Sequence, residues 1–359
     1  MLPRRMNWKL FSGWGWAVAG RCLASGVVVV VVLAIHRHHA PTKAFRIKYR
    51  PLRPTTRQPF LPDLPSQTRP GQPADIPQRF LLEEDTACHR MGEDVEVVAY
   101  VHSAITRVEQ RQETRRTWAN STALKMVVVF MVGRPRNRME QVLIQKESSF
   151  HHDIVQGDYA DHYHLLSYKA LSSLRWITKN CAHVPWTLHA DDDVLVDTFF
   201  LRQFIQGQER SQDRDKLHCK ELVGEKVHRK GKWGVLPSEL AATHYPPYCQ
   251  GFLWLLPTAQ VPKLLQASAY VNFLWVDDAY ITGFLAIKAN ISIHDIKDLM
   301  ATTILASVDV GTKLAWVHLL FKRRSVEWQR ILNHYRVPGS PQPQFGRGQL
   351  PRVNDSLVL

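Results

Sequence analysis

Runs of apolar residues alternate with amphipathic segments between about residue 93 and residue 337 of this 359-residue chain. Short β-branched runs predict buried strands, whereas apolar positions spaced three and four residues apart predict helices. The predicted strands cover 95–101, 125–132, 186–190 and 252–256. The predicted helices cover 110–118, 139–147, 164–179, 198–206, 259–267 and 277–287. Their alternation predicts an α/β domain with a mostly parallel sheet and helices on both faces.

The segment from residue 10 to residue 35 is apolar, with Arg21 as its only charged residue. About 20 apolar residues cross a bilayer, so this segment predicts a single signal-anchor span; a cleaved signal peptide is the alternative. Nine prolines between 41 and 77 predict an extended stem. The predicted organisation is a cytoplasmic tail (1–9), a span (10–35), a stem (36–92), the folded domain (93–337), with a surface excursion at 207–232, and an irregular tail (338–359).

Most of the positive charge lies in the amino-terminal arm. The chain carries a formal charge of +14, and residues 1–90 contribute 14 Lys/Arg and 5 Asp/Glu, a net of +9 that leaves +5 for the rest. The folded part has no basic stripe with interleaved aromatic residues, which nucleic-acid recognition would require. We therefore expect a membrane-anchored protein with no nucleic-acid partner.

Two features favour an oxidising, luminal compartment, although the basic residues flanking the apolar segment do not by themselves fix its orientation. Four cysteines outside the apolar segment allow two disulfides in any of three pairings, with four reduced thiols as the alternative. These cysteines are Cys88, Cys181, Cys219 and Cys249. Three sequons for N-glycosylation begin at Asn120, Asn290 and Asn354.

Three consecutive carboxylates, Asp191, Asp192 and Asp193, directly follow the predicted strand 186–190. Open α/β sheets bind ligands at the carboxyl ends of their strands. Adjacent like charges repel, so such a run lies either on a solvated acidic turn or around a cation. Oxygen ligands on a turn suit a hard divalent ion such as Mg²⁺ or Mn²⁺.

Several short motifs, in their order along residues 93–335, resemble the β-1,3-glycosyltransferases, the β-1,3-galactosyl- and N-acetylglucosaminyltransferases related to Fringe. Each motif is weak alone, and the joint order is what carries the resemblance. The main landmarks are Arg111-x-x-x-Arg115-x-Thr-Trp118, the triple aspartate, Tyr245-Pro-Pro-Tyr-Cys-Gln-Gly251, Asp277-Asp278 with Gly283, and Trp316-Val-His318. Departures from the family pattern are His189-Ala190 before the aspartates, Leu195, Asp197 and Ala279.

The resemblance implies a GT-A-like, Rossmann-related fold and a role for each candidate residue. Asp193 and His318 would ligate Mn²⁺ or Mg²⁺ on the diphosphate of a UDP-sugar. Asp191 would face the ribose or uracil, and Asp192 would line the same cofactor site in a role left open. Asp278 would be the catalytic base, although Asp277 and Asp278 also suit a helix amino terminus. Arg111 and Arg115 would serve the diphosphate or uracil pocket, or else form a solvated helix face.

The function implied by the resemblance is that of an inverting hexosyltransferase. It would move galactose or an N-acetylhexosamine from a UDP-sugar to the 3-hydroxyl of a glycan on glycoprotein or glycolipid. The expected setting is the Golgi membrane, as a single-pass type II protein, and homodimer formation stays open. Two other classes compete with this hypothesis: a non-catalytic luminal lectin or chaperone on the same fold, and a metal-dependent phosphoryl-transfer enzyme.

Overall fold

The computed structural model describes residues 74–92, 94–302, 309–317, 319 and 321–337. Eleven strands lie within this described part of the chain. They are β1 Phe80–Leu82, β2 Val97–His102, β3 Met126–Arg134, β4 Ile154–Ala160, β5 Trp186–Asp191, β6 Leu195–Val196, β7 Leu217–Leu222, β8 Tyr248–Pro257, β9 Ile293–Asp295, β10 Met300–Ala301 and β11 Ala315–Trp316.

Eight α-helices connect or flank these strands within the same residues. They are α1 Ala87–Arg90, α2 Val108–Arg116, α3 Arg138–His151, α4 Leu166–Asn180, α5 Thr198–Gln208, α6 Val261–Ala267, α7 Ala286–Lys288 and α8 Phe321–His334. A π-helical segment, Ala279–Leu285, runs directly into α7.

The central sheet has eight strands in the order β1-β4-β3-β2-β5-β8-β7-β9. Strands β3, β2 and β5 are parallel, as the strand–helix alternation predicts. Strand β4, which the sequence did not predict, is parallel to β3. Strand β8 runs antiparallel to both β5 and β7, and β1 runs antiparallel to β4, so the sheet is mixed rather than mostly parallel. A smaller sheet, β10-β11-β6, lies beyond β5 in the chain.

Both faces of the central sheet are buried under helices, which confirms the predicted layers. Along β2 the residues alternate between the two hydrophobic clusters, with Val98 and Tyr100 in one and Val97, Ala99 and Val101 in the other. Helices α4 and α6 and the π-helical segment contribute to the first cluster, and α3, α5 and α8 contribute to the second. Such two-sided burial produces the continuous apolar runs seen in the parallel strands.

The folded part begins earlier than the predicted boundary at residue 93. Strand β1 pairs with β4, and Cys88 on α1 forms a disulfide with Cys181. The structure therefore places residues 74–92 with the domain, whereas the sequence analysis assigned them to the stem. The predicted surface excursion at 207–232 also contains strand β7, which carries Cys219 of the second disulfide, Cys219–Cys249.

The remaining segments of the predicted organisation lie outside the described residues. These are the cytoplasmic tail, the apolar segment 10–35, most of the stem and the tail after residue 337. None of the helices that the structure describes is long and apolar enough to cross a membrane.

Candidate active site

The parallel strands β2 and β5 end side by side and deliver the first site residues. In their register His102 is paired with Asp191, the last residue of each strand. A turn follows, in which the backbone N–H of Val194 donates to the carbonyl of Asp191 at 3.2 Å. Trp118, which is fully buried as a core residue, donates its indole N–H to the carbonyl of Val194 at 3.0 Å. The triple aspartate therefore lies on a short turn, and the hydrogen bond from the buried Trp118 fixes that turn to the core.

Asp192 faces into the protein. Its carboxylate accepts a hydrogen bond from Ser103 Oγ at 2.7 Å and pairs with Arg107 Nη2 at 2.7 Å. Arg324 donates to its backbone carbonyl at 2.8 Å. Burial raises the pKa of Asp192, although Ser103 and Arg107 oppose that shift. The contacts of Asp192 are those of a residue that fixes the turn.

Asp193 and Asp191 offer their carboxylates differently. The side chain of Asp193 is 49% exposed, and its nearest cation is Arg107, whose Nη2 lies 3.5 Å from Oδ2. Burial, followed by the charges of Asp193 and Asp277, raises the pKa of Asp191 well above its ordinary value. The turn thus presents one open carboxylate beside a second that is more enclosed.

Asp277 and Asp278 lie at the start of the π-helical segment and face the same region. Asp278 Oδ1 accepts the backbone N–H of Ala279 at 2.8 Å, so this carboxylate does cap a helix, as one reading of the sequence predicts. A Cβ atom on Gly251 would lie 3.1 Å from Cβ of Asp278, so glycine permits this approach of β8. Burial raises the pKa of Asp278 to about 6, and burial together with the charge of Asp278 raises that of Asp277 to about 7.

Two buried histidines complete this edge of the sheet, and the sequence analysis assigned neither a role. The rings of His102 and His189 lie 4.5 Å apart between centroids in an edge-to-face arrangement. One ligand atom from each, together with a carboxylate oxygen of Asp191, fall within 4.8 Å of one another. His102 Nδ1 also lies 3.7 Å from Asp277 Oδ2. The pairing register of β2 and β5 brings these two histidines together, and the sequence alone does not specify that register.

Arg111 and Arg115 are engaged by carboxylates of the protein. The guanidinium of Arg111 is fully buried, forms a bidentate pair with Glu147 at 2.8 and 2.6 Å, and donates to Ser103 Oγ at 3.1 Å. Arg115 forms a bidentate pair with Asp153 at 2.7 and 2.8 Å. Their direct contact with a nucleotide stays a prediction, and the contact seen here links Arg111 to Asp192 through Ser103. His318 lies outside the described residues.

A group of aromatic side chains, here named the aromatic shelf, lies near the carboxylates; it comprises Tyr163, His164, Trp233 and Trp275. Trp233, which is 53% exposed, donates its indole N–H to the Tyr163 hydroxyl at 2.9 Å. His164 stacks on Trp275 with 4.2 Å between ring centroids. Burial raises the pKa of Tyr163, with smaller contributions from the charges of Asp277, Asp278 and Asp191, so the shelf is within electrostatic reach of the site.

Comparison with known proteins gives a consistent result. The family model described as "Galactosyltransferase" matches residues 109–297. Among curated relatives, the chain is 28% identical over 227 residues to lactosylceramide 1,3-N-acetyl-beta-D-glucosaminyltransferase A of Danio rerio, covering 59% of each chain. It is 25% identical over 223 residues to beta-1,3-galactosyltransferase 2 of Mus musculus, covering 60% of this chain and 52% of that protein. The match thus spans little more than half the length of these relatives.

Solved structures give a weaker likeness. The galactosyltransferase LgtC in complex with donor and acceptor sugar analogs aligns with a TM-score of 0.36 at 7% identity, over 64% of this chain and 95% of that one. Mouse xyloside xylosyltransferase 1 aligns with a TM-score of 0.32 at 12% identity, over 62% of this chain and 97% of that one. TM-scores this low carry no argument about function.

Proposed function

The chain belongs to the galactosyltransferase family, and from this premise we propose that it is an inverting glycosyltransferase. It would move galactose or an N-acetylhexosamine from a UDP-sugar to the 3-hydroxyl of a glycan acceptor on glycoprotein or glycolipid, on a GT-A-like fold. One observation carries the proposal: the open carboxylate of Asp193 and the half-buried carboxylate of Asp277 both raise the pKa of Asp191, and the half-buried Asp278 raises that of Asp277, so the four carboxylates gather at one edge of the sheet.

The turn after β5 fits a hard divalent cation. Asp193 and Asp191 offer carboxylate oxygens, the donor type that Mn²⁺ and Mg²⁺ prefer, and half of the Asp193 side chain is open to solvent. We propose Asp193 as the ligand, with His318 as a second, and Asp191 toward the ribose or uracil. A bound cation would neutralise charge on the leaving diphosphate. Asp192 would hold the turn in place rather than touch the donor.

Asp278 is the proposed base. In an in-line displacement the acceptor 3-hydroxyl oxygen bonds to the anomeric carbon while the bond from that carbon to the diphosphate breaks. The hydroxyl proton passes to the Asp278 carboxylate. A carboxyl group with a pKa of about 6 is ionised at neutral pH and still basic enough to take that proton. Gly251 lets the carboxylate reach this position because it has no side chain.

The aromatic shelf is the proposed acceptor face. The C–H face of a pyranose packs on aromatic rings, and Trp233 and Tyr163 present such surface near Asp278. Lys232 Nζ lies 4.9 Å from the ring centroid of Tyr163 and forms a cation–π contact with the shelf. We expect Trp233→Ala to raise the acceptor KM while the affinity for the UDP-sugar stays unchanged.

A luminal setting on the Golgi membrane, as a type II protein, is part of the proposal. Two disulfides among the described cysteines and exposed asparagines in two sequons, Asn120 and Asn290, support it. We expect enzymatic removal of N-glycans from the protein made in mammalian cells to increase its gel mobility. Replacing both asparagines by Gln is then expected to abolish most of that shift.

A donor screen tests the function. The full-length chain, with Mn²⁺ and a panel of UDP-sugars and glycan acceptors, is assayed for UDP release alongside three variants. Asp193→Ala is expected to lose cation-dependent donor binding, whereas Asp278→Asn is expected to bind the donor and lose about 10²- to 10⁴-fold in transfer. Asp298→Asn, which changes an exposed carboxylate with no part in the proposed mechanism, is the matched control and should keep full activity.

Two outcomes would reject the proposal. Full activity in both Asp193→Ala and Asp278→Asn would remove the mechanism. Glycan binding with no UDP release from any donor would favour a non-catalytic lectin on the same fold.

A further inference from the structure

Two buried imidazoles lie against the first aspartate of the turn. His102 and His189 have relative exposures of 6% and 2%, on the neighbouring parallel strands β2 and β5. His189 and Asp191 are two residues apart on β5 and therefore point to the same face, and Asp191 is paired with His102 across the sheet. Backbone geometry thus brings one nitrogen of each ring and one carboxylate oxygen of Asp191 within 4.8 Å of one another.

Each imidazole has one nitrogen near an acceptor and one with no hydrogen-bond partner among the described residues. His189 Nε2 donates to the carbonyl of Gly251 at 2.9 Å, which leaves the lone pair on Nδ1. His102 Nδ1 faces Asp277 Oδ2 at 3.7 Å, and its Nε2 is unpartnered. A histidine that donates one N–H to a carbonyl or carboxylate while its other nitrogen is free has the arrangement of a metal ligand with its supporting contact.

These free nitrogens are unusual because buried polar atoms are normally paired. The hydroxyl of Tyr100 is also buried and unpartnered, and its ring lies 4.9 Å from that of His189 and 5.4 Å from that of His102. Lys169, the nearest buried cation, donates instead to the carbonyl of Ser103 at 2.5 Å and to Asp161 at 2.8 Å. None of the described protein groups forms a hydrogen bond with His102 Nε2 or His189 Nδ1.

We propose that His102, His189 and Asp191 form a second cation site, distinct from the Asp193 site and selective for a borderline divalent ion such as Zn²⁺. Two imidazoles and one carboxylate match that ion, whereas Mn²⁺ and Mg²⁺ favour sites richer in oxygen ligands. The ligand atoms lie within 4.8 Å of one another. Tetrahedral zinc, with bonds of about 2.0–2.1 Å, requires separations of about 3.4 Å, so the side chains close by about 1 Å on binding.

The site leaves its fourth position open and uses one oxygen of Asp191, so the second oxygen stays available to a nucleoside. Its occupant would fix the Asp191 carboxylate against the two strands. This inference does not rest on the proposed function, because zinc binding can be measured without donor or acceptor.

The test uses the full-length chain without a histidine tag, stripped with a chelator and titrated with Zn²⁺. Bound metal is measured by mass spectrometry after equilibrium dialysis, and Co²⁺ is used as a spectroscopic probe of tetrahedral nitrogen ligation. We expect His102→Gln and His189→Gln each to remove about one equivalent of zinc and the tetrahedral Co²⁺ absorption. Asp193→Ala should retain both. His89→Gln, from the exposed stacked pair His89 and His183, is the matched control and should also retain both.

Equal zinc content in the wild type and in both site variants would overturn the proposal, as would an octahedral Co²⁺ spectrum in the wild type. Thermal unfolding of the stripped variants, compared with that of the stripped wild type, separates lost ligation from lost folding. If a variant does not fold, the wild-type Co²⁺ spectrum still decides the ligation. Failure of the UDP-release screen leaves these measurements unaffected, and a protein that releases UDP but binds no zinc on titration would reject this site alone.

Discussion

Burial sets the protonation of the carboxylates at positions 277 and 278. Both lie at the amino terminus of the helix predicted over 277–287, and the folded chain raises their pKa values to about 7 and about 6. Asp278 also caps the π-helical segment through the N–H of Ala279. One carboxylate can do both, because its two oxygens offer several acceptor positions and the capping bond from Ala279 uses only one of them.

This protonation predicts the acid side of the pH profile. A base acts only when ionised, and a raised pKa means that the proton stays on Asp278 up to a higher pH than usual. We therefore expect kcat/KM for transfer to fall about tenfold for each pH unit below pH about 6, in inverse proportion to proton concentration. The residual rate of Asp278→Asn should lack this fall. A profile that stays flat down to pH about 4, the ordinary carboxyl range, would contradict the assignment.

A second prediction concerns the replacement of Arg111. Its guanidinium is fully buried and bonded to Glu147 and Ser103, so Arg111→Lys breaks a bidentate pair in the interior. Because lysine keeps the positive charge but cannot form the bidentate pair, we expect the free energy of unfolding in urea to fall by about 1–3 kcal/mol. The KM for the UDP-sugar should change little in the protein that remains folded. A large rise in KM with unchanged stability would instead support the direct nucleotide contact predicted from the sequence.

Residue roles were only partly readable from the sequence. Runs of carboxylates after a strand mark Asp191 to Asp193, because local order alone places them at a sheet edge. Which arginine meets which acid depends on packing between α2 and α3, and Glu147 is 36 residues from Arg111. The proximity of His102 to His189 likewise depends on strand register, which no local pattern specifies.

Among the strands, the direction of β8 determines which of its residues lie at the site. It returns antiparallel beside β5, so its early residues lie at the same edge as Asp191, and Gly251 meets Asp278 there. The apolar run at 252–256 predicted a strand and not its direction, because both directions bury the same side chains. Strand β7 was missed because it includes the polar residues His218, Lys220 and Glu221. The π-helical form of the segment was missed because hydrophobic periodicity does not reveal one extra residue per turn.

The contact between β8 and the π-helical segment predicts the effect of Gly251→Ala. The added Cβ would lie 3.1 Å from Cβ and 3.3 Å from Oδ2 of Asp278, so this carboxylate must shift by a few tenths of an ångström. We expect kcat to fall about tenfold or more, because small misplacements of a reacting group are costly. Isothermal titration should show unchanged affinity for the UDP-sugar.

Gly207→Ala is the matched control for that variant. Gly207 lies on the exposed surface of α5, and no atom lies within 4 Å of the position of the added Cβ. We expect unchanged kcat and a gain of about 0.5–1 kcal/mol in the free energy of unfolding. Equal activity in Gly251→Ala and Gly207→Ala would show that Asp278 tolerates the shift.

For the whole molecule, the sequence predicted the layers and the number of disulfides but not where the domain starts. Alternating strands and helices imply a covered sheet, and four cysteines outside the apolar segment allow two bonds. Pairing requires the fold, since Cys88 and Cys181 come from α1 and the end of α4, 93 residues apart. Residues 80–82 escaped prediction because a three-residue edge strand has too little pattern to recognise.

The two disulfides provide a matched comparison of chain entropy. Both have Cα–Cα distances of 5.5 Å, and all four cysteines are fully buried, but they close segments of 93 and 30 residues. A longer loop has more conformational freedom in the unfolded chain, so its closure stabilises the fold more. We expect Cys88→Ala with Cys181→Ala to cost about 4–5 kcal/mol, and Cys219→Ala with Cys249→Ala about 1 kcal/mol less. Chemical denaturation of the two double variants measures the difference. A larger loss for the shorter loop would mean that packing around β7 and β8, rather than unfolded-chain entropy, controls the contribution of that bond.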